Sequence, residues 1–240
     1  RMGMDLEDAK MMLVADEQSP LTTMLCPPPH YQKVEPFMHR LIKEGRLGEI
    51  RHVLLTHPSS VWLDPSEPLH WRQRADIQGI NLLDVGIMGE VLQRCFGPIQ
   101  SVSAIGQTWH SERPADKDGR TTVELPDALT VSGRFTSGAT LTALFSGSVY
   151  GGSNHILIYG TKGTLTCFKD TASLKLETSA GIEIIEIPPE QVGQWTVERD
   201  FLDAVLERRK GSPNFQEGFR YMSFTQAVND SMQSGQQINI

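Results

Sequence analysis

A chain of 240 residues is long enough to bury a sizeable core in one large domain, or in one domain plus a remnant of another. Its composition, 39% hydrophobic and 21% charged, is ordinary for a globular protein, and a net charge of −7 with no Lys/Arg block or basic aromatic stripe excludes a nucleic-acid-binding surface. No apolar run approaches the ~20 residues that cross a bilayer, so no membrane partner is expected.

The chain opens Arg1-Met2-Gly3-Met4-Asp5 without a charged-then-apolar signal segment, and an initial Arg suggests a natural start upstream. Residues 5–17 read as a helix, with Asp5 as N-cap and Leu6, Ala9, Met12 and Leu13 at helical spacing. Leu21 to Leu25 is a short strand candidate. Cys26-Pro27-Pro28-Pro29 then breaks regular structure, because proline fixes φ and removes a donor. The boundary between remnant and main domain is placed there, giving domains of residues 1–26 and 27–240. Cys26, Cys95 and Cys167 lie far apart with no Cys-x-x-Cys pair, which predicts free thiols in a reducing, cytoplasmic compartment.

Val34, Phe37, Met38, Leu41 and Ile42 form one apolar stripe of a second helix, with Pro36 in its first turn and Gly45 as its stop. A strand over 49–56 follows, then a long loop over 58–78 carrying three prolines. Loops of this length in compact domains are often functional. A helix is expected from about Ile80 to Cys95. From Ile99 to about Ile187 apolar residues mostly alternate. Leu129, Val131 and Phe135 face one way, Ser137-Gly138 turns, and Leu141, Ala143 and Phe145 return. Ile156–Tyr159 and Leu165–Phe168 flank a second turn, and strands at 174–176 and 182–187 follow. Helices near 196–209, with Phe201, Leu202, Val205 and Leu206, and near 217–233 close the chain. The pattern predicts an α+β fold: an open, largely antiparallel mixed sheet with helices on one face.

Several phrases carry a family resemblance. Leu41-Ile42-Lys43-Glu44-Gly45-Arg46-Leu47-Gly48-Glu49-Ile50 forms a helix-then-strand. Trp71-Arg72-Gln73-Arg74 leads to Gly79-Ile80-Asn81-Leu82-Leu83-Asp84-Val85-Gly86-Ile87-Met88. Tyr159-Gly160-Thr161-Lys162-Gly163-Thr164-Leu165 is a mid-sheet hairpin, and Ala227-Val228, Ser231, Gly235 and Ile238 close the chain. In order and spacing these resemble the substrate half of the glucose–fructose oxidoreductase, inositol dehydrogenase and rhizopine-catabolism (Gfo/Idh/MocA) family. The resemblance implies NAD or NADP as cofactor of the complete protein, a sugar, inositol or related polyol as substrate, and residues 1–26 as the end of a Rossmann domain. No Gly-x-Gly-x-x-Gly turn occurs in the chain, so this chain alone is not expected to bind a dinucleotide or to be active.

The family pattern Asp-x-Gly-x-His supplies a His base oriented by the Asp. Here Asp84 and Gly86 match, but Met88 stands at the His position. A thioether accepts no proton at neutral pH, and loss of a general base typically costs ~10²–10⁴-fold. Asp84 is therefore either a catalytic group or an ordinary carboxylate satisfied by a neighbour, and Met88 either packs or lines the pocket. His70, Trp71 and Arg72 are the best ligand segment by composition, with a guanidinium fork and an aromatic face for a sugar; the bland alternative is a surface loop with one anchoring Trp. His30-Tyr31 aligns by spacing with the family's Arg-Phe at the domain hinge, and either His30 or His70 is a candidate replacement base. The expected substrate-binding set is His30, His70, Trp71, Arg72 and Met88, with Asp84 catalytic. No metal is expected: His52 and His57 sit an odd number apart on a strand and point to opposite faces. Glu124 with Asp127 remains possible as a carboxylate pair. The sheet's other face predicts a homo-oligomer. A non-catalytic polyol-binding or assembly protein derived from the family is the alternative, favoured by Met88.

Overall fold

The computed structural model describes residues 2–115 and 119–240; Arg1, on which the expected upstream start rested, lies outside them. Helix α1 (Leu6–Gln18) starts at Asp5, whose side chain accepts from the Asp8 amide. Ala9 is buried and Met12 exposed, so the helix covers a narrow strip. Residues 21–25 do not form the expected strand. Their partners are Gly211, which donates to the Thr23 carbonyl, and Pro213, whose carbonyl takes the Leu25 amide. A proline has no amide with which to extend that ladder.

Helix α2 (Glu35–Lys43) carries Pro36 in its first turn and buries Phe37, Met38 and Leu41. Strand β1 (Ile50–Pro58) follows. The long loop is partly ordered by a 3₁₀ turn at Trp71–Gln73 and by the single helical turn α3 (Ala75–Gln78). The next helix, α4 (Val85–Phe96), starts five residues later than the hydrophobic run suggested. Leu83 is left-handed, at φ 45°, and Asp84 stands outside the helix as its N-cap.

Strands β2 (Ile99–Gln107), β3 (Glu112–Pro114), β4 (Arg120–Thr122), β5 (Ala128–Phe135), β6 (Thr140–Ser146), β7 (His155–Gly160), β8 (Gly163–Phe168), β9 (Ser173–Thr178) and β10 (Gly181–Glu186) come next. Helices α5 (Val197–Leu206) and α6 (Phe215–Ser234) and the short β11 (Ile238–Asn239) end the chain. Nine strands form one sheet in the order β10-β9-β8-β7-β1-β6-β5-β2-β11, and β3 and β4 form a separate hairpin. Strands β1 and β6 are parallel; the other neighbours in the large sheet are antiparallel. The fold is α+β with a mixed, largely antiparallel sheet, as the alternating pattern predicts.

The core lies between one sheet face and α2, α4 and α6. Val53, Leu55, Leu129, Val131, Phe135, Leu141, Ala143, Phe145, Ile156 and Ile158 meet Phe37, Leu41, Met88, Leu92 and Phe224 there. Arg94 ties α4 to α2 with two 2.8 Å bonds to Glu35, and it also binds Glu90. Burial raises the Glu90 carboxyl, whereas against its own burial Glu35 is held low by His39 and Arg94. Of the apolar residues of α5, Ala204 is buried, but Phe201, Leu202, Val205 and Leu206 are all exposed. No helix among the described residues is long and apolar enough to cross a membrane.

Candidate active site

Because β1 and β6 run parallel, their C-terminal ends open at the same edge of the sheet. His57 there pairs in register with Phe145, and Pro58 with Ser146. Strand alternation turns Val53, Leu55 and His57 to one face. Val53 and Leu55 are in the core; His57, at the strand's end, reaches the wall of a cavity of about 460 Å³. His30, Trp62, His70, Arg72, Asp84, Ser146, Asn154 and Lys169 also line it. The volume falls within the range usual for small-molecule sites, roughly 300–1,000 Å³.

Asp84 and His57 face each other, with 2.9 Å between Asp84 Oδ2 and His57 Nε2. The His30 ring lies 6.0 Å from the His57 ring, centroid to centroid. One ligand-type atom from each of His30, His57 and Asp84 falls within 4.8 Å of the other two. The backbone is strained beside two of them. Tyr31, next to His30, has φ 62°, and Leu83, next to Asp84, has φ 45°. Each such conformation costs about 1–3 kcal/mol and persists only where packing imposes it. Here a buried Tyr31 and a nearly buried Leu83 supply that packing.

With its ring proton on Nε2, His57 donates to Asp84 Oδ2 and keeps a lone pair on Nδ1. The Nδ1 atoms of His57 and His30 are both buried without a hydrogen-bond partner among the described residues. His30 is pushed down to about 4, first by burial and then by the charges of Lys169 and His57. It is therefore neutral near pH 7. His70 is also lowered, by burial and then by Arg72.

The loop that closes the cavity is pinned from behind. Arg113 of β3 is fully buried and donates to the Asp64 carbonyl at 2.7 Å and to that of Trp62. Buried Asp127 accepts from Gln73 Nε2 at 2.9 Å and from the Trp109 amide at 2.8 Å, holding the 3₁₀ turn that carries Arg72. Trp62 lies against Gly147: a Cβ there would come within 2.2 Å of the indole ring.

Of the residues expected from sequence, His30, His70, Arg72 and Asp84 line the cavity. Two do not. Met88 is 0% exposed in the core, because the helix starts at Val85 and its first turn points this side chain inward. Trp71 is 45% exposed and outside the cavity, where its ring supports the Arg72 guanidinium 4.1 Å above its centre. His57, Trp62, Asn154 and Lys169 were not in the expected set. His57 had a signal: it shares parity with Val53 and Leu55 at the end of an apolar strand. The others come from loops or distant strands, and nothing local marks them.

His52 is on the opposite sheet face, 2.7 Å from the Thr140 hydroxyl, and does not join His57. His30, His57 and Asp84 have the donor types of a metal site, but the positive charge of Lys169 acts on the same group and opposes a divalent cation. Glu124 is exposed and Asp127 is spent on structural bonds, so they do not form a carboxylate pair. No described segment forms the strand, glycine turn and helix that hold a dinucleotide; these residues do not fit that cofactor.

The family profile described as the GFO/IDH/MocA C-terminal domain matches residues 37–166. A levoglucosan dehydrogenase of Pseudarthrobacter phenanthrenivorans is 23% identical over 233 residues, covering 80% of this chain and 60% of that protein. The chain thus spans 60% of the length of this curated relative. A levoglucosan dehydrogenase structure in complex with NADH and levoglucosan superposes with a TM-score of 0.86 at 20% identity, covering 99% of this chain and 71% of that one. An aldose-aldose oxidoreductase from Caulobacter crescentus complexed with glycerol gives 0.82 at 18% identity, covering 100% and 70%.

Proposed function

The chain belongs to the GFO/IDH/MocA family through its C-terminal domain, and from that premise we propose that it is the substrate and oligomerisation domain of an NAD(P)-dependent oxidoreductase acting on a sugar, inositol or related polyol. The observation that carries this reading is the Asp84–His57 pair, 2.9 Å apart on the wall of a sugar-sized cavity. The family takes its base from the position held here by Met88. In this chain the same acid–imidazole couple is rebuilt from β1: the Asp stays and the His arrives from another element.

In the full-length protein a nicotinamide held by the dinucleotide-binding domain would supply the hydride acceptor. The chain's own residues do the rest. His57 takes the proton of the substrate hydroxyl, and Asp84 steadies the imidazolium that forms. His30, held neutral by burial, adds no like charge beside it. Trp62 offers an indole face to sugar C–H groups, and Asn154 lines the same wall. Residues 1–26 are read as part of the dinucleotide-binding domain. In support, α1 and Met2 pack on Tyr221 and Met222 of α6 in a small cluster separate from the main core. The outer sheet face carries Leu144, Tyr159, Ile182 and Ile184, all exposed, which supports a homo-oligomer through that face.

A second reading, a non-catalytic polyol-binding or assembly protein, is favoured by Met88 alone. The test is reduction of NAD⁺ or NADP⁺ by the full-length protein over a sugar and polyol panel, alongside calorimetric titration of the same compounds. Turnover supports the dehydrogenase. Binding without turnover supports the second reading, and neither sinks both.

A further inference from the structure

The cavity has a charge the chain as a whole does not share. The protein carries a net −7, yet the cavity wall holds two permanent cations, Arg72 and Lys169, and one carboxylate, Asp84. Asp84 is bonded to His57. Neither Arg72 nor Lys169 has a carboxylate partner among the described residues, and both of them line this cavity. Two cations without a carboxylate partner thus share one concave wall in a chain whose net charge is −7.

Both cations are placed by other groups. Arg72 rests on the Trp71 ring, on the 3₁₀ turn held from behind by Asp127. Lys169 follows the last residue of β8, and its amide donates to the Asn154 carbonyl at 3.0 Å. The carboxylate on the cavity wall, Asp84, is bonded to His57, and Asp170, which also acts on His30, does not line the cavity. A guanidinium fork with an ammonium is a usual receptor for a carboxylate or phosphate. Within the rest of the lining, Trp62 and Asn154 suit a sugar's C–H face and hydroxyls.

Resting on the sugar-oxidoreductase reading of the same cavity, we infer that the substrate is a sugar or polyol bearing an anionic group, a carboxylate or a phosphate ester, bound by Arg72 and Lys169. The two cations hold the anion, and a hydroxyl of the same molecule meets His57.

Calorimetric titration of the full-length protein tests this independently of turnover. The probes are glucose, gluconate, glucuronate and glucose 6-phosphate, with inorganic phosphate alone, against wild type, Arg72→Gln and Lys169→Gln. At least one anionic sugar is expected to bind about tenfold or more tighter than glucose. That ratio is expected to fall towards one in both variants and at high salt. Preference for the carboxylates or for the phosphate ester identifies the anion. Glucose binding as tightly as every anionic sugar overturns the inference. So does an anion preference that survives both substitutions, and so does phosphate alone binding as tightly as the sugar phosphate. An anion preference without turnover keeps the inference and removes the oxidoreductase reading; turnover of neutral sugars without the preference does the reverse.

Discussion

His30 makes the simplest test at the level of single residues. In the folded chain it titrates near 4, against 6.5 when unperturbed. Between those values the unfolded chain binds the proton and the folded chain does not, so stability rises with pH there. Thermal unfolding should show full stability above about pH 6.5 and a decline toward pH 4, shallower in His30→Asn; equal slopes would remove burial of His30 as the cause. Met88→His makes a second test. Restoring the family's imidazole at this position does not restore a base, because the side chain is 0% exposed. It should lower stability by about 1–3 kcal/mol, the cost of burying a polar ring, without raising turnover. A gain in turnover would return the base to α4. At this scale the sequence was only half legible. Asp84 was found by its motif, and the loss of the His was plain. The proposed replacement, His57, is legible only in strand parity, and Lys169 and Asn154 reach the cavity through pairings that no local pattern reveals.

At the scale of elements, α4 is the informative case. Its hydrophobic run begins before the helix does, because Leu82 and Leu83 are apolar for tertiary burial and not as part of the helical face. The left-handed Leu83 ends the preceding segment and releases Asp84 from the helix to bond His57. Periodicity cannot register such a stop, since any apolar residue fits the pattern. The strands were more legible: alternation placed Leu129, Val131, Leu141 and Phe145 on the buried face, and all four are there. Gly89 tests the packing of α4 on α6. A Cβ would sit 2.5 Å from Phe224 Cδ1, and Phe224 is 0% exposed. Gly89→Ala gains up to about 1 kcal/mol of helix propensity, but overpacking costs about 1–3 kcal/mol. A net fall in the denaturation midpoint is expected, smaller in a Phe224→Leu background. A stabilised Gly89→Ala would show that the contact relaxes freely.

For the whole molecule, the sheet separates two tasks. One face buries the core and opens at its edge into the cavity; the other presents Leu144, Tyr159, Ile182 and Ile184. Light scattering should find an oligomer that Ile184→Lys weakens, because a charge on that face has to be desolvated when subunits meet; a monodisperse wild-type monomer would contradict it. The central claim is that His57, positioned by Asp84, takes the substrate proton in place of a family His that this chain lacks. The most direct measurement is the pH profile of turnover of the full-length protein with its best sugar, for wild type and His57→Gln. The account predicts a fall of about 10²–10⁴-fold in kcat and loss of the profile's basic limb, with sugar binding retained. An unchanged kcat and profile in His57→Gln would contradict it.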